Sequence, residues 1–521
     1  MNQLPRPGFA RRGATEVREN NGAETVDVVI VGGGSAGAVL ANRLSADPER
    51  TVLLVEGGPA YTPDEYPAVL RDPARVGGDE HDWGLTATID DTGRVIPTPR
   101  GKVLGGSSAV NAAVALRARA DDFEKWAAHG VTGWSFEEVL ETYRALENTT
   151  DGDPRLRGRT GPFPIRQRTR AELTPSLRAF IDASAAQGLA RIDDPNGTQQ
   201  NGVTPYPLNV VNEVRQNTGL VYLSDEVRRR RNLTIRGRTT VDRVLFDGTA
   251  ATGIVTLDGQ VLRAGEVILS AGTYGSAGIL MRSGIGPATD LGRYGIEVVS
   301  DLPVGRRLQD HPFYYNIYTL KPDANAMSPA AGAIVWTRSS EAVGDELDLH
   351  ISATHLADPS ISPTGGAIVL ATAVTQPDSI GSVALRSRDP KDGLAIDLNF
   401  LAEPRDRRRM LEGVQLSRRI GREAAMAAVV DSELTPGPGI RDDTALEQVI
   451  RQQLDTYQHP TSTAPMGAEN DPWAVVDSVG NVRGMSRLRV VDASIMPRAL
   501  STAPNVTTIM LAEHIARTSL L

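Results

Sequence analysis

The chain has 521 residues, a formal net charge of -9 and no cysteine. That length exceeds one ordinary core and points to two domains or so. The charge argues against a nucleic-acid backbone or an anionic membrane as the main partner, and the missing thiols exclude disulfides, zinc thiolates, iron–sulfur clusters and cysteine nucleophiles. No apolar run reaches the ~18 residues of a spanning helix and the N-terminus lacks an apolar signal-peptide core, so no membrane span is expected and cytoplasm is the default compartment. Residues 1–24, polar and charged with Gly and Pro, read as a disordered leader.

The first ordered unit runs from Val26 to Gly58. Val26, Val28, Val29, Ile30 and Val31 form a nearly continuous apolar run, the pattern of a parallel strand buried on both faces. Gly32, Gly34 and Gly37 follow at G-x-G-x-x-G spacing: one for the tight turn, one for close approach of backbone amides to a pyrophosphate, one for packing of the helix on the strand. A second strand, 51–55, ends at Glu56, about 20 residues past the last glycine, where a carboxylate accepts hydrogen bonds from ribose hydroxyls. This is a dinucleotide-binding unit; the fingerprint alone leaves FAD and NAD both open.

Residues 61–91, rich in Pro, Gly and Asp, predict a long surface excursion. It leads to a second glycine-rich stretch at 99–114, whose small residues Gly105 to Ser108 invite another close backbone approach. Residues 177–186 have helical spacing. From 232 to 271, alternating runs with turns at Asp247-Gly248 and Asp258-Gly259 predict a meander of short strands. Alternation over 313–400, notably at 347–353, 367–374 and 381–385, predicts an antiparallel sheet with one wet face that could wall a substrate pocket. Helical periodicity returns at 404–428 and 444–454. The basic runs 228–231 and 405–409 read as solvated faces or helix ends.

Gly101-Lys-Val-Leu-Gly-Gly-Ser-Ser-Ala-Val-Asn111 resembles the first signature of the glucose–methanol–choline (GMC) oxidoreductases, and Gly272-Thr-Tyr-Gly-Ser-Ala-Gly-Ile-Leu-Met-Arg-Ser-Gly-Ile-Gly286 resembles the second, with Ala277 at a usual Pro or Ser. Val304-Gly-Arg-Arg-Leu-Gln-Asp-His-Pro312, with Arg307 at a usual Asn, and the block from His459 onward agree. The resemblance spans the chain from Val26 to Ala516. It implies an α/β (α+β overall) fold: a Rossmann-like FAD-binding domain from 25–158, 206–306 and 477–521, interleaved with a substrate-binding domain from 159–205 and 307–476 built on an antiparallel sheet packed by helices.

The resemblance also assigns residues. Gly32, Gly34, Ser35, Ala36, Gly37 and Glu56 would hold the dinucleotide, with Trp83 and Val241 on the adenosine side. Val103, Gly106, Ser108, Asn111, Ala112 and Val114 would run along FAD, and Asp492, Ala493, Val506 and Thr507 would complete the flavin site. Some members attach FAD through a histidine at the position of Val110, so FAD here is expected to be noncovalent. His459, in His459-Pro-Thr-Ser-Thr-Ala-Pro-Met-Gly467, is similar to the family's catalytic histidine, and Asn505 falls at the second catalytic position. Asn505 could equally cap the helix that follows it.

The chemistry suits these residue types. Oxidising an alcohol on a flavin requires loss of the hydroxyl proton and transfer of hydride from the carbinol carbon to flavin N5. A neutral imidazole, titrating near pH 6–8, is matched to the first step, and an amide N–H steadies oxygen as negative charge develops. No metal site is expected, since no two of the seven histidines show the close spacing of zinc-binding motifs. The expected partners are a small alcohol, sugar or natural-product intermediate and O2 or another electron acceptor. Alternatives are a hydroxynitrile lyase-like relative with structural FAD and an NAD-dependent dehydrogenase. Low aromatic content, 5%, argues against a ring-crowded pocket, and no acidic anchor for a quaternary amine stands out.

Overall fold

The computed structural model describes residues 25–521; the expected leader lies outside the described residues. The strand Val26–Val31 sits inside a parallel sheet, between Val52–Val55 and Val261–Leu269. Leu233–Arg236 pairs in parallel with the outer edge of Val52–Val55, and Leu488–Val490 with the far edge of Val261–Leu269. Val28 to Val31 and Val52 to Val55 are all buried, as strands covered on both faces must be. The expected meander is smaller than its sequence signal. Leu233–Arg236 leaves it to join the parallel sheet, and only Val241–Asp247, Ala250–Thr256 and Val261–Leu269 form antiparallel hairpins. Their turns fall at Gly248 and Gly259, with φ of +58° and +85°.

The second large sheet is antiparallel, in the order Val430–Thr435, Pro312–Leu320, Ala367–Val374, Leu349–Thr354, Ala331–Thr337, Gly202–Pro205. Period-2 alternation divides its faces. Ile368 and Leu370 pack with Phe180, Leu177 and Ile420 of the helices Pro175–Ala186 and Pro404–Arg422, while Phe313, Val369, Ala371 and Ala373 cluster on the other side. The expected wet face is therefore absent. Every residue of Ala331–Thr337 and Ala367–Val374 is buried, because the second face walls an internal cavity rather than meeting solvent. The run 381–385 also leaves this sheet: Ser382–Leu385 and Leu394–Asp397 pair with each other, and Leu394–Asp397 extends to Thr86–Thr88 and Val95–Pro97.

Helix Gly37–Leu44 packs on the parallel sheet, and Asn505–Ile515 packs against that helix. Arg43 joins them by donating to both oxygens of Glu513, at 2.7 and 2.6 Å. The first and last parts of the chain thus close one layer.

The basic run 405–409 is not a solvated face throughout. Helical spacing turns Arg408 outward to Glu341 but puts Arg409 fully inside, 2.9 Å from Asp348, 3.6 Å from Asp406 and donating to the Gln376 carbonyl at 2.6 Å. Removing one partner of a buried ionic cluster strands the others. Arg409→Ala should lower the unfolding free energy by about 3–5 kcal/mol, whereas Arg408→Ala should leave the urea midpoint where it is. Equal midpoints for the two variants would contradict the assignment.

Candidate active site

A cavity of about 870 Å³ runs from the glycine turn of the parallel sheet to the inner face of the antiparallel sheet. Gly32, Gly34, Ser35, Ala36, Glu56, Trp83, Gly106, Asn111, Ala112, Val114, Val241, His459, Asp492, Ala493 and Asn505 all line it. Gly106 has φ +53°, and a Cβ there would sit 2.7 Å from Gly34 Cα, so the two glycine-rich segments touch backbone to backbone. Glu56 lies at the end of its strand, with Oε2 accepting from Gly33 N–H and Oε1 from Gly58 N–H, each at 2.8 Å. Burial raises its pKa to about 7 against the pull of those amides. Trp83 covers Gly57 and carries Lys102 Nζ 4.7 Å from its ring centre.

Five of the expected contacts do not line the cavity and have duties behind it. A Cβ on Gly37 would fall on the Gly32 carbonyl oxygen, so its place is to let helix meet strand. Val103 packs with Tyr66, Leu70 and Val110. Ser108 Oγ donates to the Gly105 carbonyl at 2.6 Å and accepts from Thr218 N–H at 3.2 Å, shaping the loop. Val506 is wholly buried, and Thr507 Oγ1 accepts from Ala118 N–H at 3.3 Å and meets the Tyr143 hydroxyl at 2.8 Å. Asp492 does face the cavity, but Gly272 N–H, Ser276 Oγ and Ser494 N–H already donate to its carboxylate.

Asn505 opens the last helix as its first residue and makes no capping bond, so the helix-cap alternative does not hold. Instead its Oδ1 accepts from Ser35 Oγ at 2.8 Å, and its Nδ2 is buried without a partner. An unsatisfied N–H pair at a cavity wall is a donor waiting for an acceptor.

His459 belongs to a network that its own motif does not disclose. Asp310, fully buried, accepts from the backbone N–H of His311 at 2.6 Å, that of His459 at 2.8 Å and Thr456 Oγ1 at 2.7 Å. His311 Nε2 must donate to the Leu500 carbonyl, 2.8 Å away, because a carbonyl can only accept. A neutral imidazole carries one N–H, so His311 Nδ1 is a lone pair. It faces His459 Nδ1 at 3.0 Å, and that nitrogen must carry the hydrogen. His459 Nε2 is then an unprotonated acceptor, bonded by no group among the described residues. Burial foremost, then the neighbouring His311, His350 and Arg100, hold the His459 pKa well below 6.5. Burial likewise lowers His311 to about 4. His459 is thus held lower than the sequence led us to expect, because an imidazolium here would be both desolvated and crowded by like charge.

Other residues packed around His459 were invisible in the motifs. Arg100 donates to both the carbonyl, at 2.9 Å, and the side-chain Oε1 of Gln458, which sits at φ +65° immediately before His459. Tyr457 stacks on Phe313 with ring centres 4.0 Å apart, and its hydroxyl forms a triangle with Ser352 Oγ and Tyr206 OH at 2.7 and 3.2 Å. Rings do crowd this end of the cavity, against the expectation from overall composition. The only sequence hints were adjacency to His459 and the Asp310-His311 pair inside a quoted motif.

Family models described as GMC oxidoreductase match residues 26–313 and 377–512. The chain is 34% identical over 525 residues to an oxygen-dependent choline dehydrogenase of Vibrio vulnificus, covering 94% of this chain and 93% of that protein. It is 35% identical to a 5-(hydroxymethyl)furfural oxidase of Methylovorus, covering 94% and 98%. The crystal structure of pyridoxine 4-oxidase from "Mesorbium loti" superposes with a TM-score of 0.88 at 32% identity, covering 95% of this chain and 99% of that one. With both halves of the family model matched and relatives above 30% identity along nearly the whole length, the chain belongs to the GMC oxidoreductase family and is an oxidoreductase.

Proposed function

We propose that the protein binds FAD noncovalently and oxidises a CH–OH group of a small alcohol to a carbonyl, with His459 as the base and Asn505 as the donor to the reacting oxygen. The observation that carries this reading is that one cavity is lined both by His459, whose Nε2 the His311 contact leaves as an acceptor, and by Asn505, whose amide N–H is unpartnered. The residues fit the cofactor. The Gly34–Gly106 contact leaves only backbone where a pyrophosphate would lie, the helix beginning at Gly37 offers its N-terminus, and each Glu56 oxygen keeps a lone pair for a ribose hydroxyl. Val241 and Trp83 would take the adenosine side, and Ala112, Val114 and Ala493 the flavin side. Val110 supplies no nucleophile for covalent attachment. When bound, FAD supplies the acceptor for the substrate hydride.

The protein's own part is proton control and positioning. His459 Nε2 takes the hydroxyl proton, and the imidazolium so formed keeps donating through Nδ1 to His311, which spreads the new charge without further movement. Asn505 Nδ2 donates to the oxygen as it gains alkoxide character, with Ser35 holding the amide from its other side. The electron acceptor that regenerates the enzyme, O2 or another, lies outside these residues.

Three outcomes follow. His459→Ala should slow anaerobic flavin reduction by about 10²–10⁴ while retaining FAD, the usual worth of a general base. In wild type that rate should climb with pH through an apparent pKa below 6.5 and stay flat across neutrality, since the lowered pKa keeps His459 neutral there; the inflection should be missing in the variant. A variant within about tenfold of wild type that keeps the inflection would move the base elsewhere. Asn505→Ala should cost about 10²–10³ in the same step with only a small fall in melting temperature, because the side chain caps nothing and the Ser35 hydrogen bond lost with it is worth about 0.5–1.5 kcal/mol; an intact reduction rate would remove it from the chemistry. Glu56→Ala should weaken FAD retention by about 1.5–3 kcal/mol in equilibrium dialysis, and unchanged affinity would place the ribose elsewhere.

A further inference from the structure

We infer that the alcohol oxidised here carries a cationic ammonium group, anchored by the Asp455 carboxylate and the rings of Tyr315 and Phe313. This rests on the alcohol-oxidation reading and adds the substrate's chemical class to it. The relatives' names do not choose: choline is a cation, 5-(hydroxymethyl)furfural is neutral.

Asp455 lines the cavity on the short strand Asp455–Thr456, which pairs with Pro312 and Phe313. It is half-buried. Its Oδ1 accepts from Thr456 N–H at 2.8 Å and its Oδ2 from the Tyr315 hydroxyl at 3.1 Å, which fixes the carboxylate and leaves a lone pair open on each oxygen. Among the described residues it has no cationic partner. The other charged groups on the cavity wall are engaged. Glu56 and Asp492 accept backbone amides, Arg282 donates to Asp242, Arg100 is spent on Gln458, and Lys102 lies over the Trp83 ring at the Glu56 end. A carboxylate held in place on a cavity wall with no counter-ion is a ready partner for a cation.

The surroundings match that cation. Phe313, Tyr315 and Tyr457 form one aromatic cluster beside Asp455: Phe313 and Tyr315 meet edge to face with centres 5.0 Å apart, and Tyr457 stacks on one face of Phe313 at 4.0 Å. Ring faces attract ammonium groups, most strongly where water is excluded. Asp455 stands four residues before His459, and at ~3.3–3.6 Å per residue the chain between them spans at most about 14 Å. The rings narrow that distance: Phe313 lies 4.0 Å from Tyr457 and Tyr457 4.3 Å from His459, centre to centre, so the aromatic cluster and the base are within reach of one small amino alcohol.

The test is anaerobic reduction of the flavin holoenzyme by alcohols paired for shape but not charge: choline against dimethylbutanol, glucosamine against glucose, aminomethylbenzyl alcohol against methylbenzyl alcohol. In every pair that reacts, the charged member should reduce the flavin at least about tenfold more efficiently. Asp455→Asn should erase that advantage while changing the neutral members by less than about threefold, and Asp455→Glu should restore part of it. Tetramethylammonium, which cannot react, should perturb the wild-type flavin spectrum on binding and bind the Asn variant at least about tenfold more weakly. Charged and neutral partners reacting alike, or an advantage that survives in Asp455→Asn, would overturn the inference and leave alcohol oxidation standing. Failure of every alcohol would sink the alcohol reading instead, and the tetramethylammonium titration would still decide the cation site: saturable binding lost in the Asn variant upholds it, and no binding overturns it.

Discussion

Asp310 is a carboxylate fully out of water that accepts three hydrogen bonds, one from its neighbour His311 and two, from Thr456 and His459, that fasten the start of one strand to the segment that ends in His459. Burying it costs enough to raise its pKa to about 6, and the two backbone amides and the Thr456 hydroxyl offset part of that cost. Without that junction the two imidazoles would have no reason to meet edge to face, with ring centres 5.1 Å apart. With it, the proton inventory is forced by the Leu500 carbonyl: one acceptor at the end of the chain dictates which nitrogen of His311 is protonated, and so which nitrogen of His459 is not. The same dryness keeps both rings neutral, so the protonation state of His459 does not depend on a nearby acid.

The fold serves this by bringing distant segments to one place. The Leu500 carbonyl and Asn505 come from the C-terminal block, His311 and His459 from the antiparallel half, and Ser35 from the first glycine turn. A hydrogen bond between residues 35 and 505 ties the start of the last α-helix to the first glycine turn, so the proposed donor and the proposed dinucleotide cradle are held side by side. The antiparallel sheet gains its second buried face in the same way, since what would have been a solvated surface becomes the roof of the cavity.

The sequence was most legible where local physics acts alone. The apolar run before Gly32, the glycine spacing and the acid at Glu56 each report a backbone requirement, and so do the hairpin turns at Gly248 and Gly259. It misled where neighbours decide. Leu233–Arg236 alternates like a meander strand yet pairs in parallel with Val52–Val55, and Arg409 belongs to a basic run yet lies at the centre of a buried ionic cluster. Asn505 resembled a cap because position alone cannot show where an amide points. His311 sat in plain view inside a family motif, but its role follows from a contact with a residue 148 positions away. Asp455 could not be singled out because being uncompensated is a property of the assembled cavity.

The assignment of protons to His311 and His459 is the centre of the account, and it can be observed without turnover. In protein labelled with ¹⁵N-histidine, two-bond ¹⁵N–¹H correlation spectra report the tautomer of each imidazole, with His311→Phe and His459→Gln used to assign the signals. Between pH 6.5 and 8, His459 should appear neutral with its proton on Nδ1, and His311 neutral with its proton on Nε2. A His459 ring protonated on Nε2, or a cationic ring at neutral pH, would contradict the account, because no lone pair would then face the cavity.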